Sequence, residues 1–323
     1  MNSLRKMGLM SWRKLIPEFG YLLPVKLALV AFLKLFIPIK YINSIFDIKH
    51  KIIETQLLKI LCYKDFNDDS KLDGDIDDIK LNDNKHYIWV FWWQGINCMP
   101  DIISRCYKQL ILTNNDYDIV FLDKNNFHEY VELPTYILSS IGKNISITHF
   151  SDILRVNLLY KYGGVWVDST LFFLKKIPIE YFTYNFFSIK DNINSSMSVA
   201  KHRWTTFFIC STKNSIFMEQ LIYMFNTYIK KHNKFIDYLL IDYFIDIIYN
   251  NNEEFKNIID NMPYTNYNVH CMEKLKEKAN KDFIKKILDD NLFVKMTYKG
   301  LKEKSLLEYN SNYKLLIDNY YKD

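Results

Sequence analysis

The stretch that decides the fold is Ser151–Leu171, SDILRVNLLYKYGGVWVDSTL. A helix is predicted to open at Asp152 with the hydroxyl of Ser151 as its cap, because a side-chain oxygen there accepts a bond from a free amide of the first turn. The helix ends before Gly163 and Gly164. In a chain with only 8 glycines, this pair indicates a backbone geometry that other residues rarely adopt. A buried strand follows at once, which is typical of an α/β fold.

Three charged side chains of this stretch are candidates for one site. Asp152 and Arg155 lie three residues apart and therefore share a helical face. The apolar run Val165–Val167 predicts a strand, and Asp168 falls at its carboxyl end, the edge where ligands bind in open α/β sheets. A purely structural interpretation stays open, in which Asp168 is a cap and Asp152 pairs with Arg155 along the helix.

Composition limits the class of protein. The chain has 323 residues, 49% of them hydrophobic, enough for one large core or for a core with a helical lobe. The formal charge is +5, but residues 1–51 contain nine Lys or Arg and two acidic residues (+7), which leaves −2 for the remainder. A nucleic-acid-binding protein carries its basic surface on the folded domain, so nucleic acid is not predicted as a partner. The 5 cysteines are scattered and include no C-x-x-C pair, which fits reduced thiols in the cytoplasm.

The basic N-terminal region raises the question of a membrane. Its segment Leu22–Ile39 is apolar but contains Lys26, Lys34 and two prolines, which disfavours a membrane-spanning helix. No small-residue cleavage site follows the apolar run, which disfavours a secretion signal. We predict a helix that lies in the plane of an anionic membrane surface. Packing of this helix on the folded core is the alternative.

The chain is predicted to divide into four parts. Alternating strands and helices in the middle of the chain indicate a parallel sheet covered on both faces, and the C-terminal part has the periodicity of amphipathic helices. Strands are predicted at His86–Trp93 and Tyr117–Asp123, and long helices at Asn214–His232 and Phe235–Asn250. The predicted parts are a basic helical N-terminal arm (1–64), an acidic linker (65–84), an α/β core that binds the ligand (85–187) and a helical region that completes the domain (188–323).

The absence of several catalytic motifs disfavours several classes of enzyme. The sequence has no G-x-G-x-x-G, Walker loop, G-x-S-x-G elbow or H-E-x-x-H, which disfavours hydride transfer, P-loop phosphoryl transfer, α/β-hydrolase chemistry and zinc proteolysis. Two strand ends remain as candidate binding positions. One carries Trp93 and Gly95, and the other carries Asp168, Ser169 and Thr170. An exposed indole can stack on a base, and a carboxylate beside hydroxyls can meet a ribose and a divalent cation. These residues therefore suit a nucleotide diphosphate.

Four stretches have counterparts in one known family: IWVFWWQG (88–95), HFSDILRVNLLYKYGGVWVDSTL (149–171), LIDYF (240–244) and KMTYK (295–299). Together they resemble the capsular polysaccharide synthesis protein family, which is related to glycosyltransferase family 32 and more distantly to the glucosylating clostridial toxins. The resemblance implies a GT-A fold, Rossmann-like with a mostly parallel central sheet. It also implies a nucleotide-sugar donor, a divalent cation (Mn²⁺ or Mg²⁺) and retention of the anomeric configuration.

The resemblance assigns roles to individual residues. Trp93 resembles the tryptophan that stacks on the donor base, with Gly95 in the same loop. Asp152 and Arg155 resemble the pair that contacts the hydroxyls of the donor sugar. Asp168 resembles the first aspartate of a D-x-D motif, which meets the ribose, the sugar and the metal shell.

The D-x-D motif is incomplete in this chain. Thr170 stands in place of the second aspartate, which in the relatives is the direct metal ligand. Asp168, Thr170 and His270 are the candidate metal ligands that remain. Further candidates are Gly163, Gly164, Ser169 and Lys299 for the donor and Asp242 for the acceptor hydroxyl.

These observations predict a GT-A glycosyltransferase that moves a sugar from a nucleotide-diphosphate donor, UDP-linked, to a lipid-linked or oligosaccharide acceptor for capsular polysaccharide. The N-terminal arm is expected to hold the enzyme on the inner face of the cytoplasmic membrane. Two alternatives stay open. One is a toxin-like transferase that glycosylates a protein, and the other is a non-catalytic nucleotide-sugar-binding subunit, which the missing second aspartate suggests.

Overall fold

The structure is a computed structural model that describes residues 13–61, 85–191, 193, 195–298 and 303–319. The predicted acidic linker lies outside these ranges. The described strands are β1 (Tyr87–Phe91), β2 (Asp118–Leu122), β3 (Gly164–Asp168), β4 (Leu171–Phe173), β5 (Phe187–Ser188), β6 (Phe208–Ser211) and β7 (Phe293–Lys295). The described helices are α1 (Ile16–Phe19), α2 (Leu22–Leu33), α3 (Ile42–Leu61), α4 (Asp101–Thr113), α5 (Thr135–Leu138), α6 (Ile147–Tyr162), α7 (Ile216–Lys231), α8 (Leu240–Asn251), α9 (Glu253–Asn261), α10 (Met272–Leu275), α11 (Lys281–Asp290), α12 (Glu303–Glu308) and α13 (Asn312–Asp318).

Five of these strands form the central sheet, in the order β2-β1-β3-β6-β5. β1 pairs in parallel with β2 and with β3, so that Ile88 lies opposite both Ile119 and Val165. β6 runs antiparallel to β3 and to β5, and four of the five strands therefore run in one direction. The predicted α/β class with a mostly parallel central sheet is confirmed, with helices before the sheet and a largely helical region after it.

The two central strands are buried along almost their whole length. Every residue of β1 and the first four residues of β3 are buried, as is expected of parallel strands that are covered on both faces. Helix α6 packs against β1 and β3, and α7 packs on α6. The largest side chains of the two strands, Trp89 and Trp166, lie in this core.

Helix α6 begins earlier than the sequence predicts. Its cap is Ser146, whose hydroxyl accepts a hydrogen bond from the amide of His149 at 3.2 Å, and Ser151 lies inside the helix. The additional residues include Phe150, which is fully buried and contacts other aromatic rings. Tertiary packing therefore extends the helix beyond the local signal at Ser151. The predicted end is confirmed, because α6 ends at Tyr162.

Two glycines join α6 to β3. Gly163 and Gly164 have φ angles of 68° and 97°, in the region that favours glycine. A Cβ atom on Gly164 would lie 2.3 Å from the carbonyl oxygen of Tyr87, and one on Gly163 would lie 2.7 Å from the amide nitrogen of Lys213. The pair meets a backbone requirement at the amino end of β3.

A second, two-stranded sheet brings the C-terminal region to the central sheet. β4 pairs antiparallel with β7, with Leu171 opposite Lys295. Because β4 follows β3 after only Ser169 and Thr170, β7 is held near the carboxyl end of β3. Helices α4, α11 and α13 contribute to a separate hydrophobic cluster around this small sheet.

The N-terminal helices pack on the core through part of their surface. Helix α3 contacts α7 and α8, and α2 packs on α3. Leu27 and Ile53 are buried in the main core, and Nδ1 of His50 lies 2.8 Å from the hydroxyl of Tyr243. The predicted alternative, packing on the core, therefore holds for one side of these helices. None of the described helices combines the length and the apolar character needed to cross a bilayer.

Candidate functional site

The carboxyl end of β3 carries a cluster of charged side chains. Asp168 Oδ1 accepts hydrogen bonds from Trp166 Nε1 at 3.1 Å and from Arg155 Nη2 at 3.3 Å. Oδ2 accepts one from Lys295 Nζ at 2.8 Å. Both carboxylate oxygens are thus engaged, one by α6 and β3 and the other by β7. Asp152, Arg155, Asp168 and Lys295 form this charge cluster.

Arg155 links helix α6 to strand β3. Its Nη2 atom lies 3.3 Å from Asp152 Oδ1 and 3.3 Å from Asp168 Oδ1, and its Nη1 atom donates to the carbonyl oxygen of Thr206. The guanidinium carbon lies 4.9 Å from the centre of the Trp166 ring. Arg155 and Asp152 are buried, so the planar fork of the guanidinium is held by several partners at once.

Burial raises the pKa of two carboxyl groups next to Arg155. Desolvation raises the pKa of Asp152 to about 7, opposed by the charge of Arg155 and reinforced by the charges of Asp242 and Asp168. Desolvation also raises the pKa of Asp242 to about 6, although Trp204 Nε1 donates to its Oδ1 at 3.0 Å and lowers it. Asp242 therefore lies close enough to Asp152 for their charges to interact. Both groups titrate near neutral pH, as functional acids and bases do.

The charge cluster moves the pKa of Asp168 in the opposite direction. Burial by itself would raise this pKa, but the charges of Lys295 and Arg155, with the hydrogen bonds from Lys295 and Trp166, lower it below its ordinary value. Asp168 is therefore ionised at neutral pH. The ion pair keeps one side open, since 29% of the Asp168 side chain and 25% of the Lys295 side chain are exposed.

The tryptophan loop follows β1 at the same edge of the sheet, because β1 and β3 run parallel. Trp93 is partly exposed, and its ring packs edge-on against Phe150 with 5.7 Å between ring centres. Gly95 has a φ of 88°, and a Cβ atom there would lie 3.1 Å from Asp123 Oδ2. The structure therefore places Trp93 and Gly95 at the edge that carries Asp168.

The three predicted metal ligands have different surroundings in the structure. Thr170 Oγ1 is buried without a hydrogen-bond partner in the described structure. His270 contacts Phe207, with 5.7 Å between ring centres, whereas Lys295 is the residue that contacts Asp168. Within the described ranges, no group of three or more His, Cys, Asp or Glu is placed to hold a metal ion. Because Lys295 places an ammonium on Asp168, this donor set does not fit a divalent cation, and the metal stays a prediction of the family resemblance.

The remaining predicted donor residues are spread over the fold. Ser169 is buried in the turn directly after Asp168. Gly163 and Gly164 lie at the opposite, amino end of β3, where they contact backbone atoms. The structure therefore separates them from the charge cluster. Lys299 lies outside the described residues.

Lys295 is the member of the charge cluster that the sequence does not predict. It belongs to the same KMTYK stretch as the chosen Lys299, and no local feature of that stretch separates the two lysines. Lys295 reaches Asp168 because β7 pairs with β4. The apolar run Leu292–Val294 directly before Lys295 is the signal that places it at the end of a strand.

A cavity of about 370 Å³ is lined by residues that neighbour partners of the charge cluster. Its wall includes Trp204, which donates to Asp242, and Thr205, which precedes the Thr206 carbonyl that accepts from Arg155. The cavity falls in the range of small-molecule sites, about 300–1,000 Å³. Its other polar side chains are Asp191, Ser195, Ser198, His202 and His270.

Comparison with known proteins identifies the family of this chain. The chain matches the family model described as capsular polysaccharide synthesis protein over residues 35–316. No curated protein matches it. Among solved structures, the PaToxG glycosyltransferase is similar with 14% sequence identity and a TM-score of 0.37, over 55% of this chain and 73% of that chain. A likeness at this level supports no functional conclusion. The family match covers most of the chain, which therefore belongs to the capsular polysaccharide synthesis protein family.

Proposed function

We propose that this protein is a glycosyltransferase that moves a sugar from a nucleotide-diphosphate donor, UDP-linked, to a lipid-linked or oligosaccharide acceptor in capsular polysaccharide synthesis. The charge cluster is the observation that carries the proposal. It places a buried Arg155 between Asp152 and Asp168 at the carboxyl edge of a mostly parallel sheet, where ligands bind in such folds. Membership of a capsule synthesis family supports the same class of reaction.

In the proposed reaction the donor base stacks on Trp93, and the donor sugar binds Asp152 and Arg155. The acceptor hydroxyl oxygen forms a bond to the anomeric carbon. The bond from that carbon to the diphosphate breaks, and its electron pair goes to the diphosphate oxygen. When the acceptor attacks from the leaving-group face, this oxygen takes the hydroxyl proton, which retains the configuration without a protein nucleophile. Asp242 offers its carboxylate to the acceptor hydroxyl, and positive side chains stabilise the departing charge.

Donor hydrolysis in the absence of acceptor tests the proposal. A panel of nucleotide sugars is incubated with the full chain, and release of the nucleoside diphosphate is measured. We expect release from at least one donor. We also expect a loss of about 100-fold or more in Asp168→Ala, because a charged contact at the reacting centre is removed. Asp289→Ala, which changes an exposed carboxylate on α11, is the matched control and keeps the wild-type rate. No release from any donor contradicts a transferase and favours the non-catalytic binding subunit.

We also propose that the protein binds the anionic inner face of the cytoplasmic membrane through an apolar ridge on α2 and the turn after it. The ridge side chains follow a spacing of three and four residues and therefore share one face of the helix. Each of them is more than half exposed. The opposite face, with Leu23 and Leu27, is buried in the core, so the fold does not require the ridge. The ridge consists of Leu22, Val25, Leu29, Phe32 and Phe36.

Basic side chains flank the apolar ridge. Lys26 and Lys40 are exposed beside it, in an N-terminal region whose nine basic and two acidic residues give a net charge of +7. Apolar side chains that enter the headgroup region next to lysines are the features of an interfacial helix. Each lysine near the surface adds attraction to anionic lipid, which favours a membrane as the partner of this ridge.

Vesicle co-sedimentation tests the membrane proposal. We expect the full chain to bind phosphatidylglycerol vesicles and to bind phosphatidylcholine vesicles more weakly. The double variant Leu29→Asp/Phe32→Asp is expected to lower the affinity at least about tenfold, because two side chains can no longer be buried in lipid. Leu112→Asp, at an exposed leucine of α4, is the matched control. Equal binding of the double variant and the wild type contradicts the proposal.

A further inference from the structure

Lys295 is a cation with free donors at an accessible edge of the site. Its Nζ atom lies 2.8 Å from Asp168 Oδ2 and 4.4 Å from the centre of the Phe207 ring. An ammonium has three N–H donors, and in the described part of the chain its hydrogen bond is the one to Asp168. Both side chains of the ion pair are partly exposed. The ion pair is therefore in contact with solvent, the side from which a ligand would arrive.

The backbone fixes Lys295 at this position. Its amide donates to the carbonyl oxygen of Val269 at 2.8 Å, and the amide of Met296 donates to the carbonyl oxygen of Thr170 at 2.8 Å. β7 is therefore tied directly to the turn that contains Thr170, next to Asp168. The position of Lys295 is set by strand pairing, unlike that of a mobile surface lysine.

Thr170 and Lys295 together carry the charge that an aspartate and a divalent cation would carry. A carboxylate (−1) with a divalent cation (+2) has a net charge of +1. Thr170 is neutral, and Lys295 contributes +1. A divalent cation placed on Asp168 would also be repelled by the ammonium of Lys295 and by the guanidinium of Arg155, both within 3.3 Å of the carboxylate.

We propose that Lys295 takes the place of the metal ion, binding the diphosphate of the donor so that transfer proceeds without a divalent cation. The inference rests on the proposed function, because it requires a nucleotide-diphosphate donor. In the reaction, the bond between the anomeric carbon and the diphosphate oxygen breaks, and its electron pair stays on that oxygen. Lys295 remains protonated and donates a hydrogen bond to the oxygen, while Asp168 holds the ammonium in place. The acceptor proton goes to the diphosphate, as in the reaction above.

Nucleotide binding without metal tests the inference. UDP, GDP and dTDP are titrated into the full chain in EDTA or in Mn²⁺, and binding is followed by calorimetry. We expect at least one nucleotide to bind equally well under both conditions. Lys295→Met is expected to weaken this binding about tenfold or more, because a charge-assisted hydrogen bond is lost. Lys286→Ala, at an exposed lysine of α11, is the matched control and binds like the wild type.

An exchange of charges gives a second test. The double variant Thr170→Asp/Lys295→Met replaces the ammonium with a second carboxylate beside Asp168. We expect this double variant to bind nucleotide only in the presence of Mn²⁺. Lys295→Arg keeps the positive charge and is expected to retain binding in EDTA. Circular dichroism verifies that each variant is folded before its binding is compared.

Three results decide against the inference. Wild-type binding that requires Mn²⁺ overturns it and leaves the proposed function standing. Binding in EDTA that Lys295→Met does not weaken also overturns it, because the diphosphate then has another partner. Absence of binding for all three nucleotides under both conditions overturns the inference and the proposed function together.

Discussion

The amino end of β3 is packed by backbone atoms, whereas its carboxyl end is held by charged side chains. At the amino end, Gly164 lies so close to the carbonyl of Tyr87 that a Cβ atom would approach its oxygen to 2.3 Å. At the carboxyl end, Asp168 accepts hydrogen bonds from Arg155, Trp166 and Lys295. One five-residue strand thus has an end that admits no side chain and an end that depends on side-chain chemistry.

This difference predicts two kinds of response to substitution. Changes at the amino end should lower the stability of the fold, because the backbone there has no room to move. Changes at the carboxyl end should alter pH dependence and ligand chemistry, because the groups there are charged, partly accessible and coupled to one another. Three variants test whether substitutions at the two ends of β3 have these different effects.

The largest effect on stability is expected for Gly164→Ala. The new Cβ atom would clash with the Tyr87 carbonyl, and the φ of 97° is unfavourable for alanine, so we expect a loss of about 3 kcal/mol or more in the free energy of unfolding. Urea unfolding measures this loss of stability. Gly142→Ala is the matched control, since Gly142 has a φ of 75° but no atom within 4 Å of the added Cβ, and should lose about 1 kcal/mol. Equal losses in both variants would show that the close approach to Tyr87 has no energetic weight.

An intermediate effect is expected for Asp152→Asn, and it depends on pH. Burial raises the pKa of Asp152 to about 7 in the folded protein, whereas the unfolded chain has the ordinary value of about 3.9. The stability that this carboxyl group contributes is therefore fully present below about pH 4 and is lost as the pH rises through about 7. Asparagine has no proton to lose.

The stability of Asp152→Asn relative to the wild type should thus rise by on the order of a few kcal/mol between about pH 4 and pH 8. Arg155, Asp168 and Asp242, whose charges act on Asp152, are retained in the variant, so Asp152 is the one carboxyl group that the comparison removes. Urea unfolding at several pH values gives the difference. Parallel stability curves would mean that Asp152 titrates with an ordinary pKa in the folded protein.

The smallest effect is expected for Thr170→Val. The hydroxyl oxygen of Thr170 is buried without a hydrogen-bond partner in the described structure, so its replacement by a methyl group should raise the free energy of unfolding by about 1 kcal/mol. Thr113→Val is the contrasting control, because the Thr113 hydroxyl donates to the carbonyl of Gln109 at 2.7 Å, and this variant should lose stability. Calorimetric unfolding and donor hydrolysis are measured together. A fall in hydrolysis by folded Thr170→Val would identify the hydroxyl as a ligand.

Much of the charge cluster could be predicted from the sequence because three of its members lie in one stretch. The spacing of Asp152 and Arg155 places them on one face of a helix, and the apolar run before Asp168 places it at the end of a strand. Both inferences use residues only a few positions apart. The structure brings these three side chains together.

Element boundaries were harder to predict where tertiary packing outweighs the local signal. Helix α6 begins after Ser146 because Phe150 packs into the core. Helix α8 begins at Leu240 instead of at the predicted Phe235. Phe235 instead stacks on His149 of α6, with 3.9 Å between ring centres. Contacts between distant elements therefore set where these two helices start.

Local sequence is enough for the α/β class, the glycine turn before β3 and the carboxylate after it, because helix faces, strand periods and glycine conformations depend on neighbouring residues. The pairing of β4 with β7 decides that Lys295 is the cation on Asp168. The packing of α2 decides which of its apolar side chains are exposed. Neither the Lys295–Asp168 contact nor the exposed face of α2 can be predicted from a local pattern. Each depends on how elements far apart in the chain pack together in three dimensions.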